Sequence, residues 1–325
     1  MSEVPAPDLH RGARRRLVLA ASTGGHLAQL VRLAPGLGAT EDSLWITFRT
    51  PQSESLMQGR NVLYVPYIRP RDGLSIAKAF PQILARLRGE DYEAAVSTGS
   101  GVALAALPAA RLARIPALYI ESVSRFAGPS LSGRILAASR LAEMRTQSPS
   151  WAGGRWGLHP SVLSTYRIVR RPDQPTGKPR LFVTLGTIRG YGFHAVIDRI
   201  LELGLADEHT VWQLGDTEPR VHLPGRVFRE VSTGDFGRYA READVVITHA
   251  GVGSVLGLLD MGIAPVVVIR RRSRAEHVDD HQQQLGRMVN ETGIGFAVEV
   301  DELDAGVITA AAAHRTSRTE ADATA

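Results

Sequence analysis

One stretch constrains the fold of this chain more than any other. From Ala243 to Gln282 it reads Ala-Asp-Val-Val-Ile-Thr-His-Ala-Gly-Val-Gly-Ser, then a helix-like segment, then Pro265-Val-Val-Val-Ile, then Glu276-His-Val-Asp-Asp-His-Gln282. An apolar run of strand length enters a glycine turn, a helical pattern leaves it, and a second apolar run ends in a polar loop. That spacing predicts a β-α-β unit with parallel strands. Both strands then deliver their C-terminal ends to one sheet edge, which is where open α/β sheets bind ligands.

The pattern recurs along the chain. Arg16–Ala21 is a short apolar strand, followed by Ser22-Thr23-Gly24-Gly25-His26 and a helical pattern to about Leu33. Strands are expected near Ser43–Phe48 and Val62–Tyr67, and a helix over Ser75–Arg88. Ala94–Ser97 is a strand ending in Thr98-Gly99-Ser100-Gly101, and Ala117–Ile120 leads into Glu121-Ser122. Later, Leu181–Leu185 runs into Gly186-Thr187, a helix extends to about Leu203, and Thr210–Leu214 runs into Gly215. Alternation of this kind argues for two parallel-sheet series, and 325 residues suffice for two separate cores. The expected organisation is a disordered arm at 1–13, a first Rossmann-like domain at 14–166, a linker at 167–179 and a second domain at 180–304. Pro172, Pro175, Gly177 and Pro179 mark the linker, and an Ala/Thr/Arg-rich tail without fixed order is expected at 305–325.

Composition excludes several classes of function. The absence of cysteine removes disulfides, thiolate metal sites and a cysteine nucleophile. No apolar run approaches the roughly 18 residues that span a bilayer, and the arginines at 11, 14, 15 and 16 are not followed by the apolar core of a secretory signal. The formal charge of +5 is carried almost wholly by arginine, since the only lysines are Lys78 and Lys178. Arginine forks onto phosphate oxygens, but no basic stripe interleaved with aromatics argues for nucleic acid.

The glycine turns carry the chemistry. Gly251-Val252-Gly253-Ser254 opens a helix, so the backbone can approach a ligand and the first free N–H groups face it. The helix dipole adds about 0.3–1 kcal/mol toward an anion. A dinucleotide fingerprint would need glycine at position 256, where Leu256 stands, so a dehydrogenase is disfavoured. A bare tight turn remains the alternative. Thr23-Gly24-Gly25-His26 is the counterpart in the first half, with a histidine at a helix start beside two glycines. His26 suits a general base, a role worth about 10²–10⁴-fold in rate, or it simply caps its helix. His277 and His281 stand four apart, yet no His-Glu-x-x-His pattern and no obvious third ligand accompany them, so no metal is expected. There is no Asp-x-Asp pair and no P-loop. Arg270, Arg271, Arg272 and Arg274 suit donor phosphates or an anionic surface, or form a solvated charged loop.

Taken together these motifs resemble the GT-B glycosyltransferases of family 28. The first half is similar to an acceptor-side, membrane-recruited subunit of a transferase acting on lipid-pyrophosphate-linked N-acetylglucosamine. The residues that carry this are Ser22–His26, Ser97–Gly101, Tyr119-Ile-Glu-Ser122, Arg125 and Leu131-Ser-Gly133. The second half is similar to the donor-side subunit, through Val183-Thr-Leu-Gly-Thr187, Gln213-Leu-Gly215, Ala243–Ser254 and Asp279-Asp-His-Gln282. The resemblance covers roughly residues 16–150 and 180–300, in the family's order. It implies two Rossmann-like doubly wound domains with an interdomain cleft, a UDP-sugar donor, a polyprenyl-pyrophosphate-linked saccharide acceptor, inversion at the transferred carbon, and no cofactor. Exopolysaccharide or cell-envelope glycan synthesis is the implied setting, on the cytoplasmic face of the plasma membrane.

Carried over by motif, Gly186, Thr187, Gly251, Gly253 and Ser254 are expected at the donor diphosphate, with Gln213 and His249 in the same motifs. Asp279, His281 and Gln282 are expected at the donor sugar, and the Arg229–Val231 backbone at uracil. His26 and Glu121 are the candidates for activating or orienting the acceptor hydroxyl, with Thr23, Gly24, Gly25 and Arg125 around the acceptor. The family usually places a ribose-binding Glu where this chain has Gly257, and Asp260 is the candidate substitute. Membrane attachment would rest on a basic and apolar surface such as Leu131–Met144, unless that helix is ordinarily packed. A UDP-sugar 2-epimerase on the same fold and a non-catalytic UDP-sugar-binding scaffold are the competing readings.

Overall fold

β1 (Leu17–Ala21) is apolar at every position and wholly buried. Such a strand has no solvent face, which fits a parallel strand covered by helices on both sides. The computed structural model describes residues 13–69, 72–186, 190–219, 221–276 and 281–318. The chain divides into two compact units between Val162 and Leu163.

In the first unit β1 is followed by α1 (Gly25–Leu33), β2 (Leu44–Phe48), α2 (Pro51–Leu56), β3 (Asn61–Val65) and α3 (Gly73–Leu87). Then come β4 (Ala94–Gly99), α4 (Gly101–Leu112), β5 (Ala117–Ile120), α5 (Leu131–Ser139), β6 (Glu143–Thr146) and β7 (Trp156–Leu158). Among the described residues the strands form one sheet in the order β3-β2-β1-β4-β5-β6-β7, every pair parallel. The order reverses direction between β1 and β4, so the switch point lies there. α4 is Gly-Val-Ala-Leu-Ala-Ala-Leu-Pro-Ala-Ala, and most of its residues are buried. Its small side chains let its backbone approach neighbours closely. At Gly101 a Cβ would stand 2.7 Å from Cγ2 of Ile68.

The second unit opens with β8 (Tyr166–Arg170), β9 (Leu181–Thr184), α6 (His194–Glu202), β10 (Val211–Gln213), β11 (Arg226–Phe228) and α7 (Thr233–Glu242). It continues with β12 (Val245–His249), α8 (Val252–Asp260), β13 (Val266–Val268), α9 (His281–Thr292), β14 (Phe296–Val298), α10 (Ala305–Ala312) and β15 (His314–Arg318). Its main sheet runs β11-β10-β9-β12-β13-β14 among the described residues, again all parallel. The reversal falls between β9 and β12. Trp212, fully buried, anchors this core and donates its indole N–H to the Pro224 carbonyl at 2.8 Å. Burying side chains of this size stabilises by about 1.5–3 kcal/mol each.

Three sequence expectations need correction. The segment 167–179 does not behave as a linker throughout, because β8 occupies Tyr166–Arg170 and pairs antiparallel with β15. The segment 305–325 is not a tail as far as Arg318: Asp304 caps α10 through the Val307 N–H, and Ile308, Ala311 and Ala312 pack into the second core. Alanine-rich composition hid a buried helical face. Leu131–Met144 is not one helix, since α5 stops at Arg140 in a left-handed conformation (φ 56°) and Glu143–Thr146 is strand. The expected arm at 1–13 lies, save Ala13, outside the described residues.

Candidate active site

Helix caps locate the sites. The first N–H groups of a helix need partners, and a side-chain cap usually supplies one. α2, α3, α5, α7 and α10 are capped by the side chains of Thr50, Asp72, Ser130, Ser232 and Asp304. α1, α4, α6 and α8 have no side-chain cap. These four are the helices that leave β1, β4, β9 and β12, the strands flanking the two switch points. Each unit therefore presents two uncapped helix starts at the edge where its strand order reverses.

In the first unit, Ser22 leaves β1 and its N–H donates to the Gly99 carbonyl at 2.9 Å. The Ser22 and Ser100 hydroxyls lie 3.0 Å apart, tying the β1 and β4 turns together. Gly24 has φ +82° and a Cβ there would meet nothing within 4 Å, so the turn needs glycine for its conformation and faces open space. His26 follows in the first turn of α1. Its Nδ1 lies 2.7 Å from the Thr98 carbonyl, and the Thr98 hydroxyl donates back to the His26 carbonyl at 2.8 Å. A carbonyl only accepts, so Nδ1 carries the proton and Nε2 holds the lone pair. Burial pushes the imidazole below its ordinary value of 6.5, against the opposing pull of the Thr98 carbonyl and Glu121. His26 is thus a neutral, oriented base. Gly99 makes room for it: a Cβ at 99 would stand 3.0 Å from the ring.

Glu121 departs from its expected role beside His26. It is fully buried, and its Oε1 accepts from the Tyr119 hydroxyl (3.1 Å) and the Ser122 N–H (3.1 Å). Its Oε2 accepts from the N–H and hydroxyl of Ser130 at 2.8 and 2.9 Å. Both oxygens are committed to protein groups, because the chain turns back at 122–130 and brings the cap of α5 against the carboxylate. Buried Gln29 extends the network, accepting from the Val123 N–H at 2.8 Å and donating to the Ser122 hydroxyl at 3.0 Å. Arg125 lies close enough to depress the His26 pKa further, and its carbonyl accepts from Trp151 at 2.8 Å. Thr23 and Gly25 sit in the same turn, with the Gly25 carbonyl held by Gln29 at 3.1 Å.

In the second unit, Gly186 lies two residues past β9, His249 ends β12, and Gly251 is the N-cap of α8. A Cβ at Gly186 would stand 3.0 Å from His249 Nε2 and 3.0 Å from an Arg270 guanidinium nitrogen. His249 Nε2 also abuts the Cβ position of Gly251. Side-chain-free glycine is what lets these groups converge. Gly253 and Ser254 occupy the first turn of α8. Arg270 is fully buried, and none of its guanidinium nitrogens has a hydrogen-bond partner among the described residues.

Other expected donor residues are placed differently. Gln213 donates to the Thr184 hydroxyl at 3.0 Å and accepts from the Val231 N–H at 3.3 Å, and the Arg229 carbonyl takes the Gly215 N–H at 2.8 Å. Two of the backbone groups expected at uracil, the Arg229 carbonyl and the Val231 N–H, are thus used within the protein. Gln282 is buried and its oxygen accepts from the Arg270 N–H at 3.3 Å, so that oxygen is used within the protein. Asp260, the substitute for a ribose-binding carboxylate, sits at the far end of α8 and accepts from Tyr166 (2.5 Å) and Arg318 (2.7 Å). It belongs to the β8–β15 pair. At Gly257 a Cβ would meet nothing within 4 Å. Thr187 and Asp279 lie outside the described residues, and His281 is placed only as the start of α9. Among the described residues no three His, Cys, Asp or Glu side chains gather as a metal site.

Comparison with known proteins agrees with this geometry. Residues 233–324 match the glycosyltransferase family 28 C-terminal domain. The chain is 24% identical, over 90% of its length and 86% of the relative's, to the UDP-N-acetylglucosamine--N-acetylmuramyl-(pentapeptide) pyrophosphoryl-undecaprenol N-acetylglucosamine transferase of Parasynechococcus marenigrum (strain WH8102). The protein of the same name from Acidovorax sp. (strain JS42) is 25% identical over 93% of this chain and 80% of the relative. Residues 233–324 thus carry the glycosyltransferase family 28 C-terminal domain, and the chain has the GT-B fold. The crystal structure of Acinetobacter baumannii MurG superposes with a TM-score of 0.56 at 21% identity, covering 91% of this chain and 89% of that one. The glycosyltransferase SnogD from Streptomyces nogalater gives 0.56 at 20% identity, with 93% of each chain covered. Both share the transferase's fold.

Three residues, Thr98, Gln29 and Ser130, escaped the sequence reading, and a fourth, Arg270, was singled out only as one of a run of arginines. Thr98 fixes the His26 tautomer, but a threonine in a glycine turn carries no signal of which ring it will meet. Gln29 and Ser130 order the Glu121 network; Gln29 was the readable one, as a polar residue amid Leu27, Ala28 and Leu30 on a helix face. Arg270 looked like its three arginine neighbours, and only burial separates it from them.

Proposed function

We propose that this transferase moves N-acetylglucosamine from UDP-N-acetylglucosamine to a saccharide carried on a polyprenyl pyrophosphate, in cell-envelope or exopolysaccharide glycan assembly. The observation that carries the reading is His26, a neutral imidazole with Nδ1 pinned by a carbonyl and Nε2 left basic. Nε2 takes the proton of the acceptor hydroxyl as its oxygen bonds to C1 of the donor sugar. The C1–O bond to the diphosphate breaks, its electron pair leaves with UDP, and the configuration inverts. The uncapped start of α8 holds the diphosphate, with helix N–H groups doing the work that a metal ion does elsewhere. Glu121 acts as a positioning residue that holds the 122–130 turn around the His26 pocket. The activity named for the relatives supports the lipid-pyrophosphate acceptor.

Such an acceptor requires work at a membrane surface. No helix among the described residues is long and apolar enough to cross a membrane. α5 exposes Leu131 and Ile135 one turn apart, and Leu158 is also exposed; with Arg134 between the first two, this face suits peripheral contact on the cytoplasmic side. The direct test is transfer from radiolabelled UDP-N-acetylglucosamine into lipid extract. Labelled lipid formed by wild type and lost in His26→Ala is expected. The reading is overturned if no common UDP-sugar yields product and the variant is indistinguishable from wild type.

A further inference from the structure

Arg270 is a charge without a partner. Its side chain has no exposed surface, and Nε and both terminal nitrogens lack hydrogen-bond partners among the described residues. The acids within reach are already committed. Glu276 accepts from the Arg271 N–H and from Arg274 Nε, each at 2.9 Å. Glu299 takes Arg271 through two bonds of 3.0 and 2.7 Å. What Arg270 has instead is the Phe193 ring, 5.1 Å from its central carbon. Burial pushes its pKa down to about 10, which still leaves it a cation near neutrality. Proteins keep buried charges paired because a bare one forfeits its hydration with nothing in return. Among the described residues nothing hydrogen-bonds this buried cation, and Glu276, whose charge favours it, is committed to Arg271 and Arg274.

The surroundings say what kind of counter-ion fits. One terminal guanidinium nitrogen lies 3.0 Å from the Cβ position of Gly186, so the cation packs directly beneath that turn and only a residue without a side chain fits over it. His249 Nε2 lies at the same distance from that position and also abuts the uncapped glycine start of α8. A fixed cation beneath a glycine turn, beside a helix N-terminus, suits two linked phosphoryl groups better than one.

We infer that Arg270 supplies the fixed positive charge of the donor site, lying beneath the Gly186 turn that receives one phosphoryl group while the first-turn N–H groups of α8 hold the other. This rests on the donor reading above and deepens it: nucleoside diphosphates are selected over nucleosides by Arg270. During transfer the electron pair of the breaking C1–O bond settles on the diphosphate, and the guanidinium stabilises that charge without giving up a proton.

Calorimetry on the full chain with UDP, uridine and inorganic pyrophosphate tests this. Arg270→Met should weaken UDP and pyrophosphate about 30-fold or more, the loss typical of truncating one partner of a buried charged contact, and leave uridine within about twofold. Its unliganded melting temperature should equal or exceed that of wild type, since a bare buried charge is gone. Unchanged UDP affinity, or a proportional loss of UDP and uridine with a lower melting temperature, overturns the inference and leaves Arg270 a packing residue. Should the variant not fold, Gly186→Ala crowds the turn over an intact Arg270; pyrophosphate binding should fall about tenfold with uridine unaffected, and unaltered pyrophosphate binding sinks the idea. Arg270-dependent pyrophosphate binding in a protein that turns over no UDP-sugar would support the site and overturn the donor reading. Turnover untouched by Arg270→Met would do the reverse.

Discussion

The two switch points of this transferase occupy equivalent places in their sheets and are finished in opposite ways. At the β1/β4 edge the polar groups are partnered by the protein: His26 and Thr98 exchange hydrogen bonds, and Glu121 holds protein donors on both oxygens. At the β9/β12 edge a buried guanidinium stands unpartnered beside an uncapped helix start. In the proposed function the first edge takes the proton of a neutral hydroxyl, and the second, left electrostatically incomplete, receives an anion that arrives with the substrate. One fold element thus serves acid–base chemistry or charge stabilisation according to whether its polar groups are satisfied internally.

The comparison is most easily broken at His26. His26→Ala should lower kcat by about 10²–10⁴-fold while leaving the UDP dissociation constant unchanged; loss of both together would show that the edges do not divide the labour in this way. Next is Glu121. Glu121→Ala strands the Ser122 and Ser130 N–H groups in a buried site, and should cost about 3 kcal/mol or more of unfolding free energy, with Glu121→Gln losing less. A stable Glu121→Ala that loses turnover alone would return the carboxylate to direct chemistry. A smaller effect is expected at Gly257, where open space accepts a side chain. Gly257→Glu should tighten UDP about two- to tenfold, the worth of one added hydrogen bond, if the donor ribose lies along α8; no change in affinity would put the nucleoside elsewhere.

The smallest effect is on pH. Burial holds the His26 pKa below 6.5, so the acid limb of kcat/KM should fall below 6.5. The unfolded chain then binds the proton better, so the histidine's contribution to stability is complete above 6.5 and is lost as pH falls through the folded pKa. Comparing unfolding free energies of wild type and His26→Ala between about pH 5 and 8 would show it. An acid limb above 6.5 would mean that the imidazole is charged and not the base.

The parts of the fold that were legible are those where one residue type forces one local geometry. Runs such as Leu17–Ala21 and Val245–Ile247 have no polar face, and the glycine turns after β1, β4 and β12 announce helix starts facing a ligand edge. What failed was composition read as disorder. Ala305–Ala312 looked like a tail because alanine is nearly silent in hydropathy, yet its small side chains fit the second core. Proline and glycine around 172–179 carry the expected linker back over Arg167–Arg170, part of a strand whose partner, His314–Arg318, lies far along the chain.

For the site, the sequence by itself determined the two turns, His26 as a base candidate and the glycines that admit a diphosphate, because those depend on backbone freedom and residue type alone. Only the tertiary structure decided the rest. It turned Glu121, Gln213 and Gln282 inward, gave Asp260 to the β8–β15 pair, and separated Arg270 from Arg271 and Arg274. The physical reason is that a polar side chain's role depends on which partners folding leaves for it. Those partners come from distant segments: 118 residues separate Gln29 from Gln147, and 150 separate Arg167 from Ser317.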